Sequence, residues 1–260
     1  MLVQAMPVLF VGHGSPMNAI EDNAFTQAWR AAAAALPLPR AILCVSAHWY
    51  TAGSLLMDLA QPRTIYDMYG FPDELYRVTY TAPGAPDVAM AAQALLGGAR
   101  LDGSWGFDHG VWSVLRQMFP LADIPVTMLS VDKLATPDEH YRLGQALRPL
   151  REKGVLILGS GNVVHNLARV RWDMQGEGLP WARQFDRYIL DSIQAGRHDD
   201  VVRYERAGEP AKLAVPISDH YAPLLVALGA AGTADAVTVS NEACALGSVS
   251  MTCYRFDRQA

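Results

Sequence analysis

The sequence VLILGSGNVVH, residues 155–165, joins a wholly apolar run to a cluster of glycine and polar residues and ends on a histidine. A run that is apolar on both faces is typical of a strand buried between two layers of helices, whereas a half-exposed strand would alternate. Three earlier runs share this character: VLFV (8–11), AILCVS (41–46) and VTMLSV (126–131). These four segments predict the core of a sheet that helices cover on both sides.

Helical patterns separate the strand candidates and indicate an α/β fold. They cover residues 24–36, 86–96, 137–151, 181–195 and 221–228, and the prolines that open the second and third suit the first turn of a helix. Two more strand candidates, 237–239 and 248–254, follow each other closely, so part of the sheet is expected to be antiparallel. We predict one domain over residues 1–260, with a central, mostly parallel but mixed sheet covered by helices on both faces.

Composition and charge argue against several classes of partner. The 260 residues are 51% hydrophobic and 18% charged, the net charge is −5, and the lysines and arginines are scattered. No basic stripe is available for a phosphate backbone, so we expect no nucleic-acid partner. The N-terminal sequence lacks the basic region of a signal peptide, and the longest apolar stretch, 222–231, is about half of the roughly 20 residues that a membrane span needs. Three cysteines without a CxxC motif favour a reducing compartment, and we expect a cytoplasmic protein that does not bind membranes.

Residues 58–86 differ from the rest of the chain. They are rich in proline, tyrosine and aspartate and carry little periodicity. A long irregular stretch inside a compact domain is usually functional, so we predict a functional loop or lid here.

Three histidines occupy the same predicted setting. His13, His48 and His165 each lie just beyond the carboxyl end of a core strand, where ligands and catalytic groups collect in open α/β sheets. Neutral imidazole is the commonest transition-metal ligand, so together they could hold zinc, iron or manganese. His220 is a fourth candidate, at the apparent start of a helix with Ser218 or Asp219 as its N-cap. A lone histidine at a strand end is more often a hydrogen-bonded loop residue, but three such residues beside glycine or serine are not expected from composition alone, so spacing leaves the loop role and a metal site as equal alternatives.

The other histidines and glycine motifs give weaker signals. His109 lies between Trp105, Phe107 and Trp112, where it could be a titratable group in an apolar pocket or a core histidine among aromatic rings. His140 and His198 have charged neighbours and are expected to be solvated. The GSGN sequence at 159–162 lacks the spacing of a nucleotide-binding loop, and we interpret its glycines as allowing the tight turn that delivers His165.

Several sequence blocks, taken together, resemble a known enzyme family. In chain order they are GHGSPMNAIEDN, SAHWY, GFPDELYRVTYTAPGAP, WGFDHGVWSVL, GSGNVVHNL and SDHYAPLL, and the resemblance runs from about Pro7 to Tyr254. The family is that of the DODA-type class III extradiol ring-cleavage dioxygenases, the 4,5-DOPA extradiol dioxygenases, which are related to the LigB subunit.

The resemblance implies roles for the five histidines. His13, His48 and His220 are expected to bind one divalent metal ion per chain. His165 is expected to be a fourth ligand or the acid/base, and His109 a proton donor or orienting group in the substrate pocket. LigB-like relatives use two histidines and a carboxylate, and His220 in the third position makes the ligand set more neutral and more favourable to zinc. We therefore expect Fe(II) at this site for activity, and we expect that zinc can occupy the same site in the purified protein.

The resemblance also implies a reaction: a small catechol such as DOPA reacts with O2 beside its diol to give a semialdehyde. Two alternatives stay open on the same residues, a zinc hydrolase and a non-catalytic metal-binding or peptide-binding protein. Trp49, Tyr66, Tyr69 and Phe71 are candidates for the pocket wall, and they could equally be ordinary core residues. The sequence does not choose among Arg63, Arg77 and Arg169 as an anchor for a substrate carboxylate, and it leaves the oligomeric state open.

Overall fold

A computed structural model describes residues 5–174 and 176–259 of the chain. The described residues contain an eight-stranded sheet of order β4-β3-β5-β2-β6-β1-β10-β7 and a separate two-stranded sheet formed by β8 and β9. The strands are β1 (Val8–Gly12), β2 (Ala41–Thr51), β3 (Leu55–Met57), β4 (Arg100–Asp102), β5 (Val126–Asp132), β6 (Val155–Gly161), β7 (Ala236–Ser240), β8 (Cys244–Ala245), β9 (Val249–Ser250) and β10 (Cys253–Asp257).

The four apolar runs that the sequence analysis identified form the centre of the large sheet. Strands β5, β2, β6 and β1 are neighbours and run parallel, whereas β10 pairs antiparallel with both β1 and β7. The predicted mixed sheet and its antiparallel C-terminal part are therefore confirmed. Because the central strands are parallel, their carboxyl ends meet at one edge of the sheet.

Helices cover both faces of the sheet, as predicted. Along β1, Val8 and Phe10 face one core cluster while Leu9 and Val11 face the other. Residues of α1 and α3 belong to the cluster around Leu9, and residues of α2, α4, α5 and α8 belong to the cluster around Val8. The helices are α1 (Ala24–Ala34), α2 (Pro86–Leu96), α3 (His109–Met118), α4 (Pro137–Leu147), α5 (Pro180–Gln194), α6 (His198–Val202), α7 (Glu209–Ala214) and α8 (Ala222–Ala230).

Two local predictions differ from the structure. The strand predicted over 248–254 is split, because β9 ends at Ser250 and β10 begins at Cys253. The helix α3 was not predicted; it has only 10 residues, and all residues from His109 to Leu115 are buried. The side chain of Asp108 caps it by accepting the N–H of Val111.

The segment 58–85 is irregular, as expected, apart from isolated bridges and the 3-10 turn Leu75–Arg77. It is nevertheless held against the start of α3. The N–H of Ile65 donates to the carbonyl of Phe107 at 2.7 Å, the N–H of Phe107 donates to the carbonyl of Arg63 at 2.8 Å, and Nε1 of Trp112 donates to the carbonyl of Ile65 at 2.9 Å. These bonds fix residues 63–67 beside the carboxyl edge of the sheet.

Across residues 5–174 and 176–259, no helix has the length and apolar character needed to cross a membrane.

Candidate metal centre

Five of the seven histidines converge at the carboxyl edge of the central strands. The ring centroids of His13 and His48 are 5.0 Å apart, and those of His13 and His220 are 5.3 Å apart. His109 lies 3.8 Å from His48, and His165 lies 3.4 Å from His220. The structure therefore brings together every histidine that the sequence analysis placed at the site.

Strand geometry delivers the first two histidines. His13 follows β1 directly, and its N–H donates to the carbonyl of Gly161 at 3.0 Å. His48 lies within β2, which continues beyond the predicted end at Ser46, and the register with β5 shifts between Ser46 and Tyr50. Such an irregularity re-aims side chains at a sheet edge, and here it accompanies the placement of His48 at the site.

Two glycines of β6 position His220. A Cβ on Gly159 would lie 2.4 Å from the carbonyl oxygen of Pro223, and a Cβ on Gly161 would lie 2.2 Å from that of His220. The absence of a side chain at these positions lets the start of α8 approach the strand. The interpretation that these glycines form a tight turn before His165 is therefore wrong, because both lie within β6.

The predicted cap of the last helix also differs. The N-cap of α8 is Tyr221, without a side-chain hydrogen bond. Asp219 Oδ1 instead accepts the N–H of His220 at 2.7 Å, and the carbonyl of Ser218 accepts the N–H of Ala222 at 2.8 Å. Neither Ser218 nor Asp219 is the N-cap, because the turn that carries His220 precedes the helix.

The ring of His13 has a defined tautomer. Its Nδ1 lies 3.0 Å from Oγ of Ser160, and that hydroxyl is 2.5 Å from the carbonyl oxygen of Gly110. A carbonyl can only accept, so the hydroxyl hydrogen points to Gly110 and Oγ accepts from His13. The proton of neutral His13 therefore resides on Nδ1, and Nε2 carries a lone pair.

The ring of His48 has the same tautomer for a different reason. Its Nδ1 lies 3.2 Å from Oδ2 of Asp67. An ionised carboxylate can only accept, and its negative charge favours the tautomer with the proton on Nδ1 and the lone pair on Nε2. Burial, followed by the nearby His109, holds the pKa of His48 well below its ordinary value, and burial, followed by His220, does the same for His13. Both rings are therefore neutral.

The two lone pairs face each other and fit a cation. Nε2 of His13 and Nε2 of His48 are 3.2 Å apart, and with no proton on either atom this contact is repulsive rather than a hydrogen bond. Two nitrogens that each lie ~2.1 Å from one metal ion are separated by this distance when the nitrogen–metal–nitrogen angle is roughly 100°. His220 is buried; its Nε2 has no hydrogen-bond partner within the described part of the chain, and its Nδ1 lies 3.1 Å from Oδ1 of Asp219. One ligand atom from each of the three histidines lies within 4.8 Å of the others, so the residues present fit a divalent metal ion.

His165 approaches the cluster differently. Its ring stacks on His220 with an angle of 8° between the planes, and its ligand atoms converge with Asp219 and His220 rather than with His13 and His48. Burial, followed by the proximity of His220, lowers the pKa of His165 to about 3. The ring is therefore neutral.

Asp67 and Asp108 at this site were missed by the sequence analysis. Asp67 lies in the irregular segment and contacts His48 and His109. Burial alone would raise the pKa of Asp67, but hydrogen bonds from the ring and the backbone N–H of His109 outweigh burial, and the pKa lies below its usual value. Asp108 accepts from Oγ of Ser46 at 2.7 Å, and burial, followed by the charge of Asp67, raises its pKa to about 6. The available signals were the aspartates of segment 58–86 and the N-cap pattern before His109.

The aromatic residues considered for the pocket wall and the arginines considered for a substrate carboxylate lie in different environments. Trp49 is buried and stacks on Trp105 with the planes 1° apart, whereas Tyr69 is 93% exposed. Tyr66 donates its hydroxyl to the carbonyl of Val78, and Phe71 is half-buried. The three arginines considered as anchors for a substrate carboxylate are exposed: Arg63, Arg77 and Arg169.

The expectation that two other histidines are solvated is wrong. His140 is buried, because the first turns of α4 pack against α8, and burial lowers its pKa. His198 is half-buried, and its Nδ1 lies 2.8 Å from the hydroxyl of Tyr141.

Comparisons with known proteins agree with this geometry. Residues 7–256 match the family described as the catalytic LigB subunit of aromatic ring-opening dioxygenase. The chain is 42% identical to the 4,5-DOPA dioxygenase extradiol of Escherichia coli K12, over 95% of this chain and 93% of that protein, and 39% identical to the protein of that name from Beta vulgaris, over 95% of each.

A crystal structure of an uncharacterized Escherichia coli K12 protein is similar, with a TM-score of 0.84, 38% identity and coverage of 96% of this chain and 99% of that one. The family match and the identity over nearly the whole length of both chains confirm the resemblance in the sequence blocks. The chain belongs to the LigB family of aromatic ring-opening dioxygenases.

Proposed function

We propose that this protein is a metal-dependent extradiol dioxygenase that cleaves the ring of a small catechol such as DOPA with O2 and gives a semialdehyde. The observation that carries the proposal is the pair of facing Nε2 lone pairs on His13 and His48, with His220 beside them. The names of the relatives, 4,5-DOPA dioxygenase extradiol, support the substrate class. We further propose that residues 1–260 act as a single catalytic domain.

In this proposal, Nε2 of His13, Nε2 of His48 and a ring nitrogen of His220 hold one divalent metal ion. Fe(II) is the metal expected for activity, and zinc is expected to bind the same neutral set. When bound, Fe(II) supplies adjacent positions at which the catechol and dioxygen meet, and the electron transfer that opens the ring to oxygen.

Two histidines outside the triad are assigned to proton movement. His165 stacks on a proposed ligand, and its ligand atoms do not converge with those of His13 and His48, which supports a role as acceptor of a catechol hydroxyl proton rather than as a fourth ligand. His109 donates from Nδ1 to Asp67 at 3.0 Å, so its Nε2 carries a lone pair. That atom can orient a substrate hydroxyl by accepting a hydrogen bond from it. It can also take up the hydroxyl proton and return that proton to the product.

We also propose a cytoplasmic location and small-molecule partners alone. All three cysteines are free, buried thiols, which supports a reducing compartment. The scattered basic residues and the net charge of −5 support the absence of a nucleic-acid partner.

Oxygen uptake separates this proposal from the zinc hydrolase and the non-catalytic binder. Protein reconstituted with Fe(II) under anaerobic conditions is mixed with L-DOPA or simpler catechols, and oxygen consumption and a yellow ring-cleaved product are followed. We expect uptake in the wild type, none in His13→Ala, and wild-type uptake in the matched control His198→Ala, which removes a histidine hydrogen-bonded to Tyr141. No uptake from any catechol by protein loaded with Fe(II) would contradict the proposal.

A further inference from the structure

The irregular segment 58–85 reaches the site through one carboxylate. Asp67 Oδ1 accepts the N–H of His109 at 2.8 Å. Its Oδ2 lies 3.0 Å from Nδ1 of His109 and 3.2 Å from Nδ1 of His48. One side chain, 13% exposed, therefore contacts a proposed metal ligand and the proposed substrate-side histidine together.

The chemistry of these contacts favours one tautomer in both rings. A carboxylate oxygen can only accept, so the bond to Asp67 fixes a proton on Nδ1 of His109. The negative oxygen 3.2 Å from Nδ1 of His48 favours a proton there as well, and each Nε2 is then left with a lone pair. Partners of this kind hold the tautomer and orientation of a metal-ligating imidazole. In this chain the same oxygen serves His48, whose Nε2 faces the metal site, and His109, whose Nε2 is free for substrate.

We propose that Asp67 is a positioning residue that sets the tautomer and orientation of both His48 and His109, and so links the strength of metal binding to the group that receives the substrate. This inference rests on the proposed function. It gives segment 58–85 a defined task, which is to deliver this carboxylate.

The surrounding contacts hold the carboxylate in place independently of the histidines. On one side, residues 63–65 bond to Phe107 and Trp112, and a Cβ on Gly106 would lie 2.3 Å from the carbonyl oxygen of Arg63. Next to Asp67, the hydroxyl of Tyr66 donates to the carbonyl of Val78 at 2.8 Å. Glycine at 106 thus permits the close approach that seats the segment.

A second metal ion on His48, Asp67 and His109 is the competing interpretation, because their ligand atoms also lie within 4.8 Å of one another. Asp67 and His109 already satisfy each other, because the N–H and Nδ1 of His109 donate to the two carboxylate oxygens, and Nδ1 of His48 lies 3.2 Å from one of them. Nε2 of His220, by contrast, has no hydrogen-bond partner among the described residues, although its Nδ1 lies 3.1 Å from Oδ1 of Asp219. The contrast favours a hydrogen-bonded carboxylate over a second metal site.

The test compares Asp67→Asn with Asp73→Asn, the same change at an exposed position of the same segment. In Asp67→Asn the amide oxygen can still accept the N–H of His109, and the NH2 group then faces both Nδ1 atoms and favours a proton on Nε2 instead. Zn(II) affinity is measured by competition with a chromophoric chelator, together with the metal content. The tautomers are read from nitrogen chemical shifts of the histidine rings in the zinc-loaded proteins.

We expect one zinc per chain in all three proteins, an affinity about 10–100-fold weaker in Asp67→Asn, and no change in Asp73→Asn. We also expect the His109 ring to lose its Nδ1–H tautomer in Asp67→Asn, a change that loss of negative charge alone would not produce. Equal zinc affinity in Asp67→Asn and wild type, with both tautomers retained, would overturn the role of Asp67 and leave the proposed metal site intact. Two zinc ions in the wild type, one of them lost in Asp67→Asn, would also overturn that role, because Asp67 would then be a metal ligand. A wild type that binds no zinc would overturn the proposed metal centre and this inference together.

Discussion

Nδ1 of His13 lies 3.0 Å from Oγ of Ser160, on the neighbouring strand, and the Ser160 hydroxyl in turn donates to the carbonyl of Gly110. This buried chain connects β1, β6 and α3 and leaves Nε2 of His13 as a free lone pair. The ligand is therefore prepared by groups that do not touch the metal themselves.

The first prediction concerns that chain. Ser160→Ala removes the acceptor assigned to the Nδ1 proton of His13, so the ring loses its fixed tautomer and zinc affinity should fall about 10–100-fold. Chelator competition measures the change. Ser192→Ala is the matched control, because Ser192 is also buried but donates to a helix carbonyl, that of Tyr188. Unchanged affinity in Ser160→Ala would show that His13 does not depend on this hydroxyl.

The second prediction concerns Gly161. Gly161→Ala places a methyl group 2.2 Å from the carbonyl oxygen of His220, so the start of α8 must move. We expect a loss of about 1–3 kcal/mol in the free energy of unfolding and weaker zinc binding. Denaturant titration and chelator competition measure the two effects. Gly98→Ala is the control, because a Cβ at that position would have no atom of the described residues within 4 Å; equal behaviour of the two variants would contradict the prediction.

The third prediction concerns metal removal. A ligand that binds only the folded state stabilises it, by ~2.7 kcal/mol at 100 times the dissociation constant. Zinc should therefore raise the Tm of the wild type and a chelator should reverse the rise. His220→Ala should lose this response and His198→Ala should keep it, and calorimetry with and without the chelator decides. A zinc-dependent Tm that survives in His220→Ala would place the ion elsewhere.

The fourth prediction concerns Asp186, a buried carboxyl on α5 that accepts from the hydroxyls of Ser250 and Thr252. Burial raises its pKa to about 6 in the folded state, against the opposing effect of these two hydrogen bonds. The pKa of Asp186 is about 4 in the unfolded chain and about 6 in the folded state, so between these two pH values the folded state holds the proton more tightly. The stability that protonated Asp186 contributes is complete below about pH 4 and is lost as the pH rises through about 6.

Denaturant unfolding across this pH range tests the assignment. Relative to wild type, Asp186→Asn should gain stability as the pH rises from 4 to 7, by at most about 3 kcal/mol. Asp191→Asn is the control, because the side chain of Asp191 lies on the same helix, is 47% exposed and pairs with Arg187. A difference between Asp186→Asn and wild type that does not vary with pH would contradict the prediction.

The sequence predicted the parts of the site that follow from local pattern. His13 and His165 follow buried apolar runs, and the parallel arrangement of those runs brings their ends to one edge. His220 and His109 were candidates from their local sequence, and the motif blocks gave them their expected roles. These predictions succeeded because the hydrophobic period and the strand ends are local properties of the chain.

The parts that were not predicted depend on contacts between distant segments. Asp67 lies in a segment without periodicity, and its place is set by bonds to residues about 40 positions later. His140 has charged neighbours in sequence, yet it is buried because Gly144 and Gly229 let α4 and α8 approach closely. The glycines of β6 were assigned to a turn, although they make room for a segment some 60 residues further along.

A crystal structure of the zinc-loaded protein tests the central claim most directly. The account predicts one ion per chain, held at about 2.0–2.1 Å by Nε2 of His13, Nε2 of His48 and a ring nitrogen of His220. The carboxylate of Asp67 should remain on Nδ1 of His48 and His109. An ion held instead by His48, Asp67 and His109, or by His165 with Asp219 and His220, would contradict the account.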